Sequence, residues 1–396
     1  MSYFFQRRCV NCDHIYENTE VISVCRECGS LLLMEYDLYK ARQEGYSIQD
    51  IPHGSLWEFE DILPLLPGDR PVSLGEGGTP LISLPQTARQ LQVKQLLVKQ
   101  EGQNPAGSLY DREMSVTFSA IQDVDFDTLF VESPGSLGIA GSAYSRLTNR
   151  SCSVVLPRGC PAQFLGECQV YDGQAKAVVW NKSSREKVKQ TIQSHTKIFD
   201  VSTEGFSYRI EGTKTLFLEI FKQFGRRFPD VILLPLAEGI LPLALWKALW
   251  EGRQLGWFPG NKSLSVWGAQ STNCAPFAGS PEEVAAREES WQETIAFDLF
   301  VPEPVQRELV TGVLREEQWQ TIAVEDNAIL SSWRRIAETD GILLSPEGSA
   351  GVAALEHLIL SGKEEPDQTF LIINPSNGSR YIDAIGFIDE IQGTGE

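Results

Sequence analysis

Histidine is scarce in this chain: His14, His53, His195 and His357 are the only four among 396 residues. That limits any mechanism built on imidazole. Long apolar runs are missing as well. The best stretch, residues 231–249, is broken by Glu238 and carries Pro235 and Pro242. It reads as a buried strand, a loop and a helix start rather than a membrane span. Positive charge is in the minority, with 34 Lys and Arg against 53 Asp and Glu and a formal net charge of −19. This argues against nucleic acid or an anionic membrane as the main partner. Solubility is the ordinary role of such acidity, while a basic partner surface stays open. The opening Met1-Ser2-Tyr3-Phe4-Phe5-Gln6-Arg7-Arg8 has no basic-then-apolar leader pattern, and the expectation is a cytoplasmic protein.

The length allows two or three domains with their own cores. Of eight cysteines, Cys152, Cys160, Cys168 and Cys274 are scattered, which suggests reduced thiols. The other four are patterned. Cys9-x-x-Cys12 is followed after twelve residues by Cys25-x-x-Cys28 and Gly29. Two tight knuckles at this spacing let four thiolates converge on one tetrahedral zinc. Ile15-Tyr16 and Val21-Ile22-Ser23-Val24 read as the strands of a hairpin between them. Two disulfides or a redox CxxC are the alternatives. The doubled motif favours a structural zinc ribbon with metal ligands Cys9, Cys12, Cys25 and Cys28. So small a module would take its folding energy from the metal.

Strand-like runs recur at residues 95–99, 127–131, 152–157, 177–180, 231–235, 263–268 and 369–374, with polar helical patterns between them, as at 184–195. Strands alternating with helices imply parallel sheets with right-handed crossovers. Their continuous Val, Ile and Leu runs suit strands covered on both faces. Residues 30–55 are charged and polar and read as a linker or short surface helix. Glycine and proline density makes Ser73-Leu74-Gly75-Glu76-Gly77-Gly78-Thr79-Pro80-Leu81 a turn-rich loop. No internal repeat is present.

The segment Gly102-Gln103-Asn104-Pro105-Ala106-Gly107-Ser108-Leu109-Tyr110-Asp111-Arg112 is similar to the cofactor-lysine segment of threonine synthases, roughly G-Q-N-P-T-G-S-F-K-D-R. Residues 73–81 resemble the family's S-L-G-E-G-x-T-P-L. The resemblance covers roughly residues 55–385. It implies an α/β fold: a two-domain body with parallel sheets in three αβα layers, like the fold-type II enzymes of pyridoxal phosphate (PLP) in the tryptophan synthase beta superfamily. The expected layout is a zinc ribbon at 1–35, a linker and N-terminal arm at 36–72, and the body at 73–385. Within the body a smaller subdomain takes about 108–200 and a larger one the remainder, and a frayed acidic tail occupies 386–396.

The resemblance also implies where a PLP site would lie. Tyr110 replaces the lysine that forms the Schiff base, and a phenol cannot form an imine. The phosphate loop, V-P-V-G-N-G-G in the family, corresponds to Pro235-Leu236-Ala237-Glu238-Gly239-Ile240, where one glycine of three remains. Ala237 and Ile240 bring β-carbons into that space. Glu238 brings a negative charge beside a would-be dianion, at a cost of about 4 kcal/mol for charges about 4 Å apart. In Glu132-Ser133-Pro134-Gly135-Ser136-Leu137-Gly138, similar to S-S-G-N-T-G, Ser136 replaces the asparagine that contacts the ring oxygen. Pro375 stands where the partner of the pyridine nitrogen is expected, with Ser376 as its only neighbouring substitute. Glu211-Gly212-Thr213-Lys214-Thr215 ahead of a helix and the Ser345–Gly351 segment at another helix start read as structural turns and caps.

These replacements, clustered on one ligand, lead to the expectation that PLP is not the working cofactor. The vestigial cleft would comprise Tyr110, Ser136, Glu238, Gly239 and Ser376 and lie between the subdomains, near Ser73, Gly107, Gly135 and Gly239. The chain would act by binding a small-molecule metabolite or a protein partner, and the resemblance to the family implies a homodimer. One alternative is a PLP-independent enzyme. It would use Tyr110 as acid, Glu238 or Asp111 as base, and Glu76, Lys99, Lys214 and Arg112 around an anionic substrate. The other alternative is a genuine threonine synthase, a lyase of amino-acid metabolism that converts O-phosphohomoserine to threonine.

Overall fold

The computed structural model describes residues 2–51, 54–258 and 264–383. The tail expected at 386–396 lies outside them. Three sheets form. The smallest is antiparallel, with β1 (Phe4–Cys9) between β2 (Ile15–Glu17) and β3 (Leu32–Tyr36). The expected strand at 21–24 is not one. Only Val24 pairs, in an isolated bridge to Leu31. Ser23 is instead spent on docking, its hydroxyl donating to the Glu204 carbonyl of the body.

The described part of residues 30–55 holds β3 and a short helix, Leu38–Gln43, as the helix reading expects, but it is not a linker over the surface. Met34, Tyr36, Leu38 and Ala41 are buried in the main core. The Tyr36 hydroxyl donates to Glu211 Oε2 at 2.7 Å, and Lys247 Nζ donates to the Met34 carbonyl. The polar appearance of the segment comes from its outward-facing residues, while Leu32, Met34, Tyr36, Leu38, Ala41, Ile48 and Ile51 are buried.

Ten further strands follow: β4 (Leu81–Ser83), β5 (Gln95–Gln100), β6 (Thr128–Glu132), β7 (Ser151–Pro157), β8 (Gln174–Val178), β9 (Ile198–Asp200), β10 (Val231–Pro235), β11 (Ser265–Ser271), β12 (Gln320–Val324) and β13 (Thr369–Asn374). The larger sheet runs β12-β11-β10-β13-β5-β4, with only β4 antiparallel. The smaller runs β8-β7-β6-β9, all parallel. The strand expected at 177–180 lies upstream, at β8. Trp180 packs past its end against Phe130 and Val178 instead of joining the ladder.

Both faces of the larger sheet are covered, as the apolar runs require. Ile232, Leu234, Leu371 and Ile373 face one core and Val231, Leu233, Phe370 and Ile372 the other, alternating as strand geometry demands. The helix Phe206–Gln223 runs through the middle of the molecule, buried at every residue but the last. The Glu211-Gly212-Thr213-Lys214-Thr215 motif lies inside this helix rather than ahead of it. A Cβ on Gly212 would stand 2.3 Å from the Arg112 carbonyl oxygen, so the missing side chain lets the helix Tyr110–Ala120 cross close.

The charges on these central helices are matched. Arg112 pairs with Glu101 at 2.7 Å and Glu219 at 2.8 Å, and Lys99 joins on Glu219. Lys214 pairs with Glu211 at 2.6 Å and Glu251 at 2.8 Å, and Lys247 bridges the same two carboxylates. Each network holds two cations and two anions, which is what makes their burial tolerable.

Candidate functional site

The site grows from three chain segments that follow β5, β13 and β10, strands of the larger sheet. Tyr110 is the first residue of the helix Tyr110–Ala120. The preceding loop is fixed to the end of β13: Leu109 N donates to the Pro375 carbonyl at 2.7 Å, and Ser108 bridges to Ser376. The third segment is the turn after β10, which enters the helix Ile240–Gln254 through Gly239 at φ 96°. A Cβ there would stand 2.2 Å from Val310 Cγ2, so both the backbone conformation and the packing require this glycine.

Between these segments lies a cavity of about 40 Å³, lined among others by Tyr110, Glu238, Gly239, Pro375, Ala237 and Ile240. Tyr110, Glu238 and Gly239 therefore meet as expected, but Ser136 and Ser376 do not line the space. Ser136 N donates to Asp298 Oδ1 at 3.0 Å. A Cβ on Gly135 would stand 2.1 Å from the same oxygen. The Asp298 carboxyl thus covers the loop that was expected to face a ligand. The Ser376 hydroxyl lies 3.2 Å from the Tyr381 hydroxyl, turned into the core. Nor does the cleft reach the Ser73 loop, whose hydroxyl is bonded to Glu76 at 2.8 Å.

The groups expected to bind an anionic substrate are consumed elsewhere. Lys99, Arg112 and Lys214 sit in the two buried networks. Glu76 accepts from Trp57 at 3.0 Å, Ser115 at 2.6 Å and Tyr144 at 2.5 Å. Asp111 accepts from the backbone of Ala106 at 2.6 Å and Ser108 at 3.1 Å, so it braces its own loop and faces away from the cavity. Burial pushes its carboxyl up to about 7.

Four charged residues of the cavity, Glu113, Arg209, Asp298 and Glu347, were missed in the sequence. Arg209 Nε is 2.6 Å from Glu113 Oε2, and Arg209 Nη2 is 2.8 Å from Glu238 Oε2. Glu238 is therefore not the unopposed charge that its loop suggested; it is the half-buried arm of a Glu–Arg–Glu bridge whose other members are buried. Burial pushes the Glu113 carboxyl up to about 7, with Arg209 opposing and Glu238 adding. Burial likewise raises Asp298 to about 6 and Glu347 to about 8, the latter helped by Asp298. Glu347 Oε1 accepts from Asp298 N at 3.1 Å, while Oε2 is buried without a hydrogen-bond partner among the described residues. Tyr110 is held well above the ordinary phenol range by burial first and Asp298 second. It stays protonated near neutral pH and cannot serve as a base.

Some signal for these residues was present. Glu113 follows Tyr110 by three positions, which places both on one helix face, and Glu347 lies inside a segment read as a cap. Nothing local marks Arg209 or Asp298, because their role depends on chain segments far away in sequence.

In the ribbon, the four patterned thiols come together within 4.8 Å of one another. Cys9 and Cys28 sulfurs are 3.4 Å apart, Cys12 and Cys28 3.5 Å, and Cys12 and Cys25 3.7 Å. No disulfide forms among the eight cysteines. These separations are too long for an S–S bond of about 2 Å and close to the roughly 3.8 Å edge of a tetrahedron with Zn–S bonds of about 2.3 Å.

Residues 72–376 match the family profile of pyridoxal-phosphate dependent enzymes, and the chain belongs to that family. It is 27% identical over 384 residues to the threonine synthase of Methanocaldococcus jannaschii, covering 96% of this chain and 93% of that one. It is 28% identical to the threonine synthase of Methanosarcina acetivorans, covering 93% and 90%. The fold is shared with the crystal structure of a fungal L-serine ammonia-lyase from Rhizomucor miehei, at a TM-score of 0.63 and 17% identity over 77% of this chain and 97% of that chain. Among the described residues no helix is long and apolar enough to cross a membrane.

Proposed function

We propose that this chain is a threonine synthase-like protein without PLP chemistry that acts by binding, as a regulatory or scaffold subunit or as a metabolite carrier. The observation that carries the reading is Tyr110 in the lysine position of a cavity of only about 40 Å³. That volume holds about three waters, against roughly 300–1,000 Å³ for ordinary ligand pockets. PLP does not fit the residues present. A phosphate dianion would face Glu238, Asp298 and Glu347 with one cation nearby, and Arg209 is already shared by two glutamates. The Cys9, Cys12, Cys25 and Cys28 set suits a structural zinc, whose role would be to fold the ribbon. A cytoplasmic location accords with eight unpaired cysteines. A homodimer is proposed by analogy with the family alone.

The test is an absorbance spectrum of the purified protein before and after adding PLP. We expect no protein-bound aldimine band. A band fixed to a lysine by borohydride would overturn the reading. The extent of the likeness to threonine synthases favours a second reading, true threonine formation. Production of threonine from O-phosphohomoserine with added PLP would establish it. A PLP-independent acid role for Tyr110 has less support, since its phenol is held so high. Any conversion that persists in Tyr110→Phe removes that role.

A further inference from the structure

If the old cleft holds only a few waters, a ligand site must be sought elsewhere. An open depression of about 670 Å³ lies in the smaller sheet, between the edge strand β8 and the helix Lys182–Gln193. Its volume falls within the range of ordinary small-molecule sites, roughly 300–1,000 Å³. Two features set it apart. First, its charge is of one sign. Arg158, Lys176 and Lys187 line it, and no Asp or Glu does, although acidic residues outnumber basic ones 53 to 34 in the chain. The three cations are exposed and make no ion pair among the described residues, whereas Arg185 and Lys189 of the same helix are paired with Glu132 and Asp200. Second, the helix leaves its apolar side half-covered. None of its residues is fully buried, and Val188 and Ile192 line the groove together with Ala177 of β8.

We infer that this groove binds a small organic anion, an acidic group on an apolar body, with Lys176, Lys187 and Arg158 meeting the charge and Val188 and Ile192 the body. Two other depressions lack this combination. One of about 530 Å³ carries Arg42 and Arg226, but three helices end around it, at Gly45, Gly225 and Gly256. The guanidiniums there offset helix C-terminal carbonyls. Another of about 590 Å³ mixes signs, with Lys197 already paired to Asp125.

A carboxylate and a phosphate ester share the required chemistry, and the test separates them. Phenyl phosphate, benzoate and benzylamine are titrated into the full-length protein by calorimetry. We expect at least one anion to bind and benzylamine not to bind; the tighter anion identifies the acidic group. The double variant Lys176→Gln/Lys187→Gln should weaken that binding roughly tenfold, while Lys94→Gln leaves it unchanged. Both groove lysines are exposed and unpaired, so the melting temperature without ligand should match the wild type. Absence of binding by either anion, or equal binding by the double variant, would overturn the proposal. In the latter case Lys176 only guards the sheet edge against pairing. The outcome does not depend on the PLP spectrum, so the two ideas fail separately.

Discussion

Arg209 is the residue on which the interior of the old cleft depends. Among the described residues it is the one cation paired with Glu113 and Glu238, and it is almost completely buried. Replacing it by methionine leaves the buried Glu113 and the half-buried Glu238 without their charge partner, a change that costs about 3–5 kcal/mol in fully buried pairs. Because burial already lifts Glu113 toward neutrality, the loss should be larger at pH 8 than at pH 6, where protonation relieves it. Urea unfolding at the two pH values measures this. A loss below about 1 kcal/mol at pH 8 would mean that the bridge contributes little. Adding Glu113→Gln and Glu238→Gln to the variant should recover most of the stability.

At the scale of elements, two contacts hold the architecture around the site. The helices Tyr110–Ala120 and Phe206–Gln223 meet at Gly212, where a methyl group would collide with the Arg112 carbonyl, an atom that cannot rotate away. Gly212→Ala should therefore force the helices apart and cost about 1–3 kcal/mol in chemical denaturation; a neutral result would show that the crossing can relax. The ribbon is the second case. Its own core is four residues, Cys9, Tyr16, Cys25 and Leu32, with Ile22 packed on it, too little to stand without metal. Purified protein should carry one zinc per chain by atomic absorption. Chelation, or Cys12→Ser, should open residues 9–29 to protease while the main thermal transition stays nearly in place. Resistance to protease after complete metal removal would contradict a metal-dependent ribbon.

For the whole molecule, the buried carboxyls set the response to pH. Asp111 and Glu113 are raised to about 7, Asp298 to about 6 and Glu347 to about 8, burial being the first cause in each. Unfolded, these groups titrate near pH 4. Between about pH 5 and 8 the folded protein thus holds more protons than the unfolded chain, and stability falls as pH rises. Glu101 acts in the opposite sense. Arg112 holds it down to about 2 against burial, so its contribution is lost only in acid, below the window of the others. Calorimetry should find a lower melting temperature at pH 8 than at pH 5.5, and Glu347→Gln should flatten that slope. A melting temperature that rises across this interval would refute the linkage.

The sequence by itself determined the strands at 95–99, 152–157, 231–235 and 369–374, the cysteine knuckles and the family frame, because each is encoded by local periodicity, spacing or motif. Its motifs grouped Tyr110, Ser136, Glu238, Gly239 and Ser376, of which Tyr110, Glu238 and Gly239 line one cavity. Only the tertiary structure decided what surrounds them. Arg209 arrives from the first turn of a buried helix and Asp298 from a turn that covers Gly135, neither with a local sign of these meetings, and Glu347 comes from the start of another helix, where its segment reads only as a cap. The same holds for Lys99, Arg112 and Lys214: as residues they look available to a substrate, but in the fold the energetic cost of buried charge commits each to a carboxylate inside the protein.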